Sequence, residues 1–283
     1  MGKVITVAMH KGGVGKTTLI TSLGGAITHM SKKAKILIID LDGQANVTAA
    51  FGDKVESYDG TVEDIILNRR PAKECIHNLF KNIDVIPAGE DMDFIELDIF
   101  EEEALRSKPF YLLEEAIGEL KNEYDLIFID TPPSISLMLG NALTVADKVI
   151  IPFQPEVFGV KGLVRIIELI RKMNLRLGLN VDILGVVGMF YRKGTSLHSE
   201  TVQQARQYCA VNDIHMFDTV IPQATRYSNA VSKEGLPATI TDLRKMKLFK
   251  KSQTTHEASE AYYDLLIEIE NRDSDIKESV NNG

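Results

Sequence analysis

At 283 residues, with 44% apolar and 25% charged side chains, the chain can bury a substantial core, and its balance is that of a globular protein rather than a disordered or fibrous one. A formal net charge of −8 argues against a protein that coats nucleic acid with its whole surface, and two isolated cysteines, Cys75 and Cys209, form neither a disulfide framework nor a metal-ligand spacing. No run approaches the roughly eighteen apolar residues of a membrane-spanning helix, and the amino terminus enters a strand-like segment too soon for a signal peptide, so a cytoplasmic protein is expected.

The first element is Val4-Ile-Thr-Val-Ala8, short, apolar and β-branched as a buried strand should be. His10-Lys-Gly-Gly-Val-Gly-Lys-Thr17 follows, and then a helix-permissive stretch over 18–30 in which Gly24 and Gly25 lower the propensity. Strand, glycine loop and helix are the setting of a phosphate-binding loop. Its standard form is G-x-x-x-x-G-K-[ST]: glycines let backbone N–H groups face phosphate oxygens, the lysine reaches the terminal phosphates, and the hydroxyl holds Mg²⁺. Gly15, Lys16 and Thr17 sit where that pattern wants them, His10 replaces the first glycine, and Lys11 is a second cation that the pattern does not need.

Further strands are expected at 35–39, 83–86, 126–129, 149–151, 183–189 and 219–221. Helices are expected at 61–68, 91–105, 109–122, 159–177, 196–212 and 255–270. This alternation predicts an α/β fold with a doubly wound, mostly parallel sheet flanked by helices, a single domain over 1–270, and a polar tail over 271–283 that frays.

In open sheets of this kind ligands sit at the carboxyl ends of strands. The second expected strand ends in Asp40-Leu-Asp42-Gly43-Gln44, and the one at 126–129 delivers Asp130 before Thr-Pro-Pro133. Carboxylates there can flank a triphosphate and its metal, although strand-end aspartates also cap helices and form turns.

With the loop, these segments closely resemble the ParA-type partition ATPases, part of the deviant P-loop group that includes the MinD regulators. The resemblance extends over nearly the whole chain, through Asp84-Val-Ile-Pro-Ala88, Tyr124 to Ser134, Ile151-Pro-Phe-Gln-Pro-Glu156, Lys161-Gly-Leu163, Gly188-Met-Phe-Tyr191, Val220-Ile-Pro222 and Ser228-Asn-Ala230. The chain is similar to the short members without an amino-terminal helix-turn-helix domain.

The resemblance implies ATP and Mg²⁺ as cofactors. Lys16 and Thr18 would contact phosphate with the loop residues Gly12, Gly13, Val14 and Gly15, and Lys11 would reach a partner subunit's phosphates in an ATP-bound homodimer. Thr17 would be a metal ligand, with Asp40 and Asp130 near the metal. Asp42 would orient the hydrolytic water, and the segments of Met189 and Pro222 would line the adenine pocket. It also implies non-specific DNA binding through Arg206 and Arg226, with Arg192, Lys193 and Lys233 as additions, nucleoid association, and a ParB-type centromere-binding partner that stimulates a weak intrinsic ATPase.

Two departures stand out. Gly43 replaces the family's usual proline and loosens the loop that carries Asp42, while His10 replaces glutamine or asparagine and reads as a packing or hydrogen-bonding residue. A MinD-like membrane-associated ATPase is the alternative, but it predicts a basic amphipathic carboxyl-terminal helix, and the segment from Tyr262 to Asn271 is acidic. An iron-sulfur reductase would need paired cysteines, and a metabolic synthase or kinase would need a substrate pocket that nothing in the sequence marks.

Overall fold

The computed structural model describes residues 1–52, 58–242 and 257–282. Eight strands form one sheet: β1 (Lys3–Val7), β2 (Ile36–Asp40), β3 (His77–Phe80), β4 (Ile83–Ile86), β5 (Leu126–Asp130), β6 (Lys148–Phe153), β7 (Asp182–Tyr191) and β8 (Met216–Pro222). Their spatial order is β3-β4-β2-β5-β1-β6-β7-β8, and each pairing is parallel except that of the edge strand β3 with β4. The doubly wound parallel sheet expected from the alternation is therefore present. β3 is missing from that expectation, since His77-Asn-Leu-Phe80 is a four-residue antiparallel edge with no buried residue to impose a pattern.

The central strands read as unbroken apolar runs because helices cover both faces. All five residues of β2 and of β5 are buried. Their register sets Asp40 beside Asp130, and Val7 of β1 also pairs with Asp130, so three strand ends finish level.

The helix α1 (Lys16–Met30) runs almost wholly buried from the loop after β1. Gly25 has a packing role there: a Cβ on it would lie 2.3 Å from the Thr239 hydroxyl, and that hydroxyl donates to the Ser22 carbonyl at 3.0 Å. The residue that weakens the helix lets the helical turn at 238–242 lie directly against it.

Expected helices are broken where charge or glycine interrupts them. The stretch 91–105 becomes a 3-10 turn (Glu90–Phe94), α4 (Ile95–Glu101) and α5 (Glu103–Arg106), with Glu102 extended between the two helices. Like charges three and four residues apart, such as Asp98 with Glu101 and Glu102, oppose one continuous helix. The stretch 109–122 contains α6 (Leu112–Ile117), with Gly118 as its carboxyl-terminal cap, and a short 3-10 turn. Among the described residues, α2 (Asn46–Ala50), α7 (Leu137–Val145) and α10 (Arg226–Glu234) were not expected. α7 is apolar on nearly every side and so carries no helical period. α8 (Gly159–Leu177) and α9 (Ser196–Val211) fall close to their expected positions.

The helix expected at 255–270 is observed as α11 (Glu257–Arg272), and the first two residues of that expectation lie outside the described residues. It buries Tyr262, Leu265, Leu266 and Ile269 against the core shared with α1 and β8. The expectation of a frayed tail is corrected: residues 274–282 form α12 (Ser274–Asn282) and bury Ile276 and Val280. The Asp273 carboxylate accepts the Asp275 and Ile276 amides at 3.0 and 3.1 Å and pairs with Lys148 at 3.1 Å, while Asp275 pairs with Lys3 at 2.7 Å. A cap and two ion pairs to the sheet thus hold a segment whose composition alone reads as polar.

Candidate functional site

The loop joining β1 to α1 closes at Gly15, whose φ of 90° is left-handed and strained for any residue with a Cβ. Space is a second constraint, because a Cβ there would lie 2.8 Å from the Phe190 ring and 3.0 Å from the Met189 methyl carbon. Lys16, Thr17 and Thr18 form the first turn of α1, where backbone N–H groups lack partners within the helix and the helix dipole favours an anion.

That turn opens on a cavity of about 550 Å³, the size of a small-molecule site. Gly12, Gly13, Gly15, Lys16, Thr17 and Thr18 form one wall, with Asp42 and Asn46 beside them. The opposite wall comes from distant sequence: Phe190, Gln223, Ala224, Tyr227, Ser228, Val231, Pro237 and Ala238.

The carboxylates meet as the strand register requires. Thr17 Oγ1 donates to Asp130 Oδ2 at 2.5 Å, while Asp130 Oδ1 is buried with no partner. Asp40 accepts the amides of Asp42 and Val47 at 3.0 and 3.2 Å, so it shapes the loop that carries Asp42 into the cavity wall. Burial pushes the Asp130 carboxyl up to about 6, against the opposing pull of Thr17 and Lys16. Asp40 lies well above the ordinary carboxylate range, first because it is buried and second because Asp130 is beside it. Two desolvated carboxyls with one orphaned oxygen, next to a hydroxyl and an ammonium, form an oxygen-donor set suited to a hard divalent cation.

Lys11 does not line this cavity. Its ammonium pairs at 2.6 Å with Glu156, in the loop after β6. His10 Nδ1 lies 2.9 Å from the Pro133 carbonyl oxygen and ties the P-loop to the segment after Asp130, the hydrogen-bonding role expected of it. Next to Glu156 in the chain, Val157 and Phe158 are 69% and 66% exposed, and Ile135, two residues after Pro133, is 44% exposed.

The segments of Met189 and Pro222 reach the cavity through the residues next to those two. Met189 is fully buried in the core, and neither it nor Pro222 lines the cavity; Phe190 and Gln223 do. The register of β7 with β8 shifts between Gly188 and Tyr191, and Phe190 adopts a left-handed φ of 56°, rare for an aromatic residue. A one-residue change on a strand moves a side chain to the other face, and no sequence signal marks this irregularity.

The expected DNA residues do not form one free basic face. The Arg226 side chain is only 12% exposed; it donates to Asp242 at 2.5 Å, to Glu234 at 2.8 Å and to Thr241, and Asp242 in turn accepts from Ser259 of α11. A guanidinium engaged on three sides has little left for phosphate, so these contacts favour a structural role for Arg226. Arg206 pairs with Asp218 at 3.0 Å and also donates to the Phe217 and Asp218 carbonyls. Arg192 donates to Gln223 of the cavity wall but is itself exposed, as are Lys193 and Lys233. Both cysteines are buried thiols whose surroundings push them up to about 11, in keeping with ordinary core residues.

A family model described as an AAA domain matches residues 2–183. The chain is 30% identical over 270 residues to the sporulation initiation inhibitor protein Soj of Bacillus subtilis, covering 95% of this chain and 98% of that protein. It is 30% identical over 276 residues to the chromosome partitioning protein ParA of Caulobacter vibrioides, covering 96% of each. Among solved structures, a Cyanothece McdA complex with ATP superposes with a TM-score of 0.78 at 21% identity over 96% of each chain, a likeness of fold. The Mycobacterium smegmatis cobyrinic acid a,c-diamide synthase with bound ATP analogue and magnesium shares the fold at a TM-score of 0.72 and 22% identity, covering 91% of this chain and 100% of that one.

Proposed function

The chain belongs to the ParA family of partition ATPases, and on that premise we propose that it is an ATP-driven switch for moving DNA, built as a single ATPase domain. One observation carries the reading: Thr17, Asp40 and Asp130 converge at level strand ends beside the P-loop, with a buried Asp130 oxygen left without a partner. Bound ATP and Mg²⁺ supply the phosphoryl group and the charge neutralisation its transfer needs.

The chain's residues divide the work. Loop amides from Gly12 to Gly15 and the first turn of α1 hold phosphate oxygens, and the Lys16 ammonium draws off developing negative charge. Thr17 would hold the metal, with Asp40 and Asp130 beside it. Asp42, on a loop shaped by Asp40, orients the attacking water. Phe190 and Tyr227, from the far wall, offer aromatic faces to the base.

Lys11 is the dimerisation sensor. Its pairing with Glu156 supports a held position from which it swings to the phosphates of a second subunit, and the exposed Val157 and Phe158 next to Glu156, with Ile135, support a contact between copies. A cation arriving only on association couples dimerisation to hydrolysis.

The ATP-bound dimer then holds DNA without sequence preference, in the cytoplasm at the nucleoid, through exposed cations such as Arg192, Lys193 and Lys233, until a ParB-type centromere-binding partner stimulates hydrolysis. The MinD-like alternative finds less support: the apolar face of acidic α11 is already buried in the core, and no helix among the described residues is long and apolar enough to cross a membrane.

Size measurement with ATP tests the switch. Asp42→Ala should accumulate a dimer and Lys11→Ala should remain monomeric; an assembly state indifferent to nucleotide and to both substitutions refutes it. DNA retention with ATP but not ADP, weakening steeply with salt, is the companion result.

A further inference from the structure

Glu63 is an acidic residue buried away from the catalytic cluster. It lies in the first turn of α3 (Val62–Ile66), is 3% exposed, and belongs to neither wall of the cavity. A buried carboxylate is costly unless hydrogen bonds hold it, and Glu63 Oε2 accepts the Gly89 amide at 2.9 Å. The Val62 amide donates to the Pro87 carbonyl at 2.8 Å, so two consecutive residues of α3 grip the segment that follows β4.

Gly89 is the amino-terminal cap of the 3-10 turn Glu90–Phe94, and a Cβ there would lie 2.7 Å from Glu63 Oε1 and 3.0 Å from Thr61 Cγ2. The approach of Glu63 therefore requires a residue without a side chain. A second glycine serves the other side of the turn. A Cβ on Gly43 would lie 3.0 Å from an Asp93 carboxylate oxygen and 3.4 Å from Cβ of the buried Met92. Gly43 lacks a left-handed φ, so contact with the turn, not backbone conformation, is what a side chain there would disturb.

Gly43 follows Asp42 directly. Asp40 holds the inner side of this loop by accepting the Asp42 amide, and the loop turns back at Ala45, whose φ of 48° is strained for a residue with a Cβ. Such a loop keeps its shape only where its surroundings over-determine it. The turn Glu90–Phe94 is its outer surround, and close packing carries a displacement of that turn to the loop.

We propose that Glu63 is a positioning residue for hydrolysis: through the Gly89 amide it sets the turn Glu90–Phe94, and the turn, packed on Gly43, fixes the loop that carries Asp42. The role rests on the ATPase reading above, in which Asp42 orients the attacking water.

The test follows ATP turnover, melting and amide hydrogen exchange across residues 41–46 in the full chain. Glu63→Ala should lower kcat about tenfold while the KM for ATP stays within about twofold, because Asp42 is misplaced and the phosphate loop is not. Glu63→Gln should recover most of that loss, since its amide carbonyl still accepts from Gly89. Exchange across 41–46 should rise in Glu63→Ala and return in Glu63→Gln. Gly43→Ala should lower kcat about fivefold by pressing on Asp93, and adding Asp93→Ala should relieve it. This last pair alters a loop and an exposed side chain, so it decides the role if Glu63→Ala does not fold.

Unchanged kcat in Glu63→Ala with only a lower melting temperature, an equal loss in Glu63→Gln, or a change confined to KM would overturn the proposal. So would wild-type kcat in Gly43→Ala, or a defect there that Asp93→Ala leaves in place. A wild-type chain without turnover defeats the ATPase reading instead, and the exchange comparison then still decides whether Glu63 holds the loop.

Discussion

The two walls of the central cavity are built in different ways. The wall proposed to hold phosphate comes from a continuous loop and helix after β1 and from Asp42, just past the end of β2, which β5 separates from β1, whereas the opposite wall gathers Phe190, Gln223, Tyr227, Val231 and Pro237 from three separated segments. Phosphate recognition depends on backbone N–H groups and one ammonium, which a short run of defined residues can position. Recognition of an apolar base depends on packing, which no short run defines. The same contrast holds for charge: Asp130 is buried with an unpartnered oxygen, while Asp242 is buried but engaged by Arg226 and Ser259.

The largest expected effect lies on the phosphate wall. Lys16→Ala should lower ATP turnover by roughly 10²–10³-fold, equivalent to about 3–4 kcal/mol of lost transition-state stabilisation, with the fold retained by circular dichroism. An unchanged rate would remove the loop from the chemistry.

Next comes the helix behind the opposite wall, where Arg226→Ala should cost about 3 kcal/mol of stability by stranding Asp242, with a lower melting temperature and, through its neighbour Tyr227, a raised KM for ATP. Arg226→Lys should recover only part, since an ammonium cannot reproduce the forked contacts. A variant with wild-type melting that loses only DNA binding would restore Arg226 to the DNA surface and erase the contrast between the walls.

Asp130→Asn should stabilise the nucleotide-free protein at neutral pH by on the order of 2 kcal/mol while abolishing turnover. Its folded-state carboxyl is raised to about 6 by burial, so its favourable contribution is complete below the ordinary value of 3.8 and is lost as pH rises through 6. Wild-type stability should therefore fall relative to Asp130→Asn across about pH 4–6 in thermal melts; parallel curves would mean that the carboxyl is not desolvated.

The smallest effect is expected from Phe190→Ala. Losing one aromatic face should raise the KM for ATP several-fold, about 1 kcal/mol, with kcat little changed. A fall in kcat at constant KM would instead tie Phe190 to the P-loop turn that it abuts at Gly15.

By itself the sequence determined the sheet's parallel alternation and the glycine loop, and it singled out Asp40, Asp42 and Asp130 as candidates at strand ends that the fold brings to one place, because strand burial and a glycine-rich turn leave marks within a few consecutive residues. The edge strand β3 and the helix α7 left no such mark, the one exposed and short, the other apolar on almost every side. Only the tertiary structure decided that Phe190 rather than Met189 faces the cavity, since a register irregularity between β7 and β8 sets it. The folding of the polar tail into α12 and the enclosure of Arg226 by Glu234, Thr241 and Asp242 were decided in the same way. A charged residue looks the same in sequence whether it faces solvent or a buried partner, and long-range packing is what chooses between them.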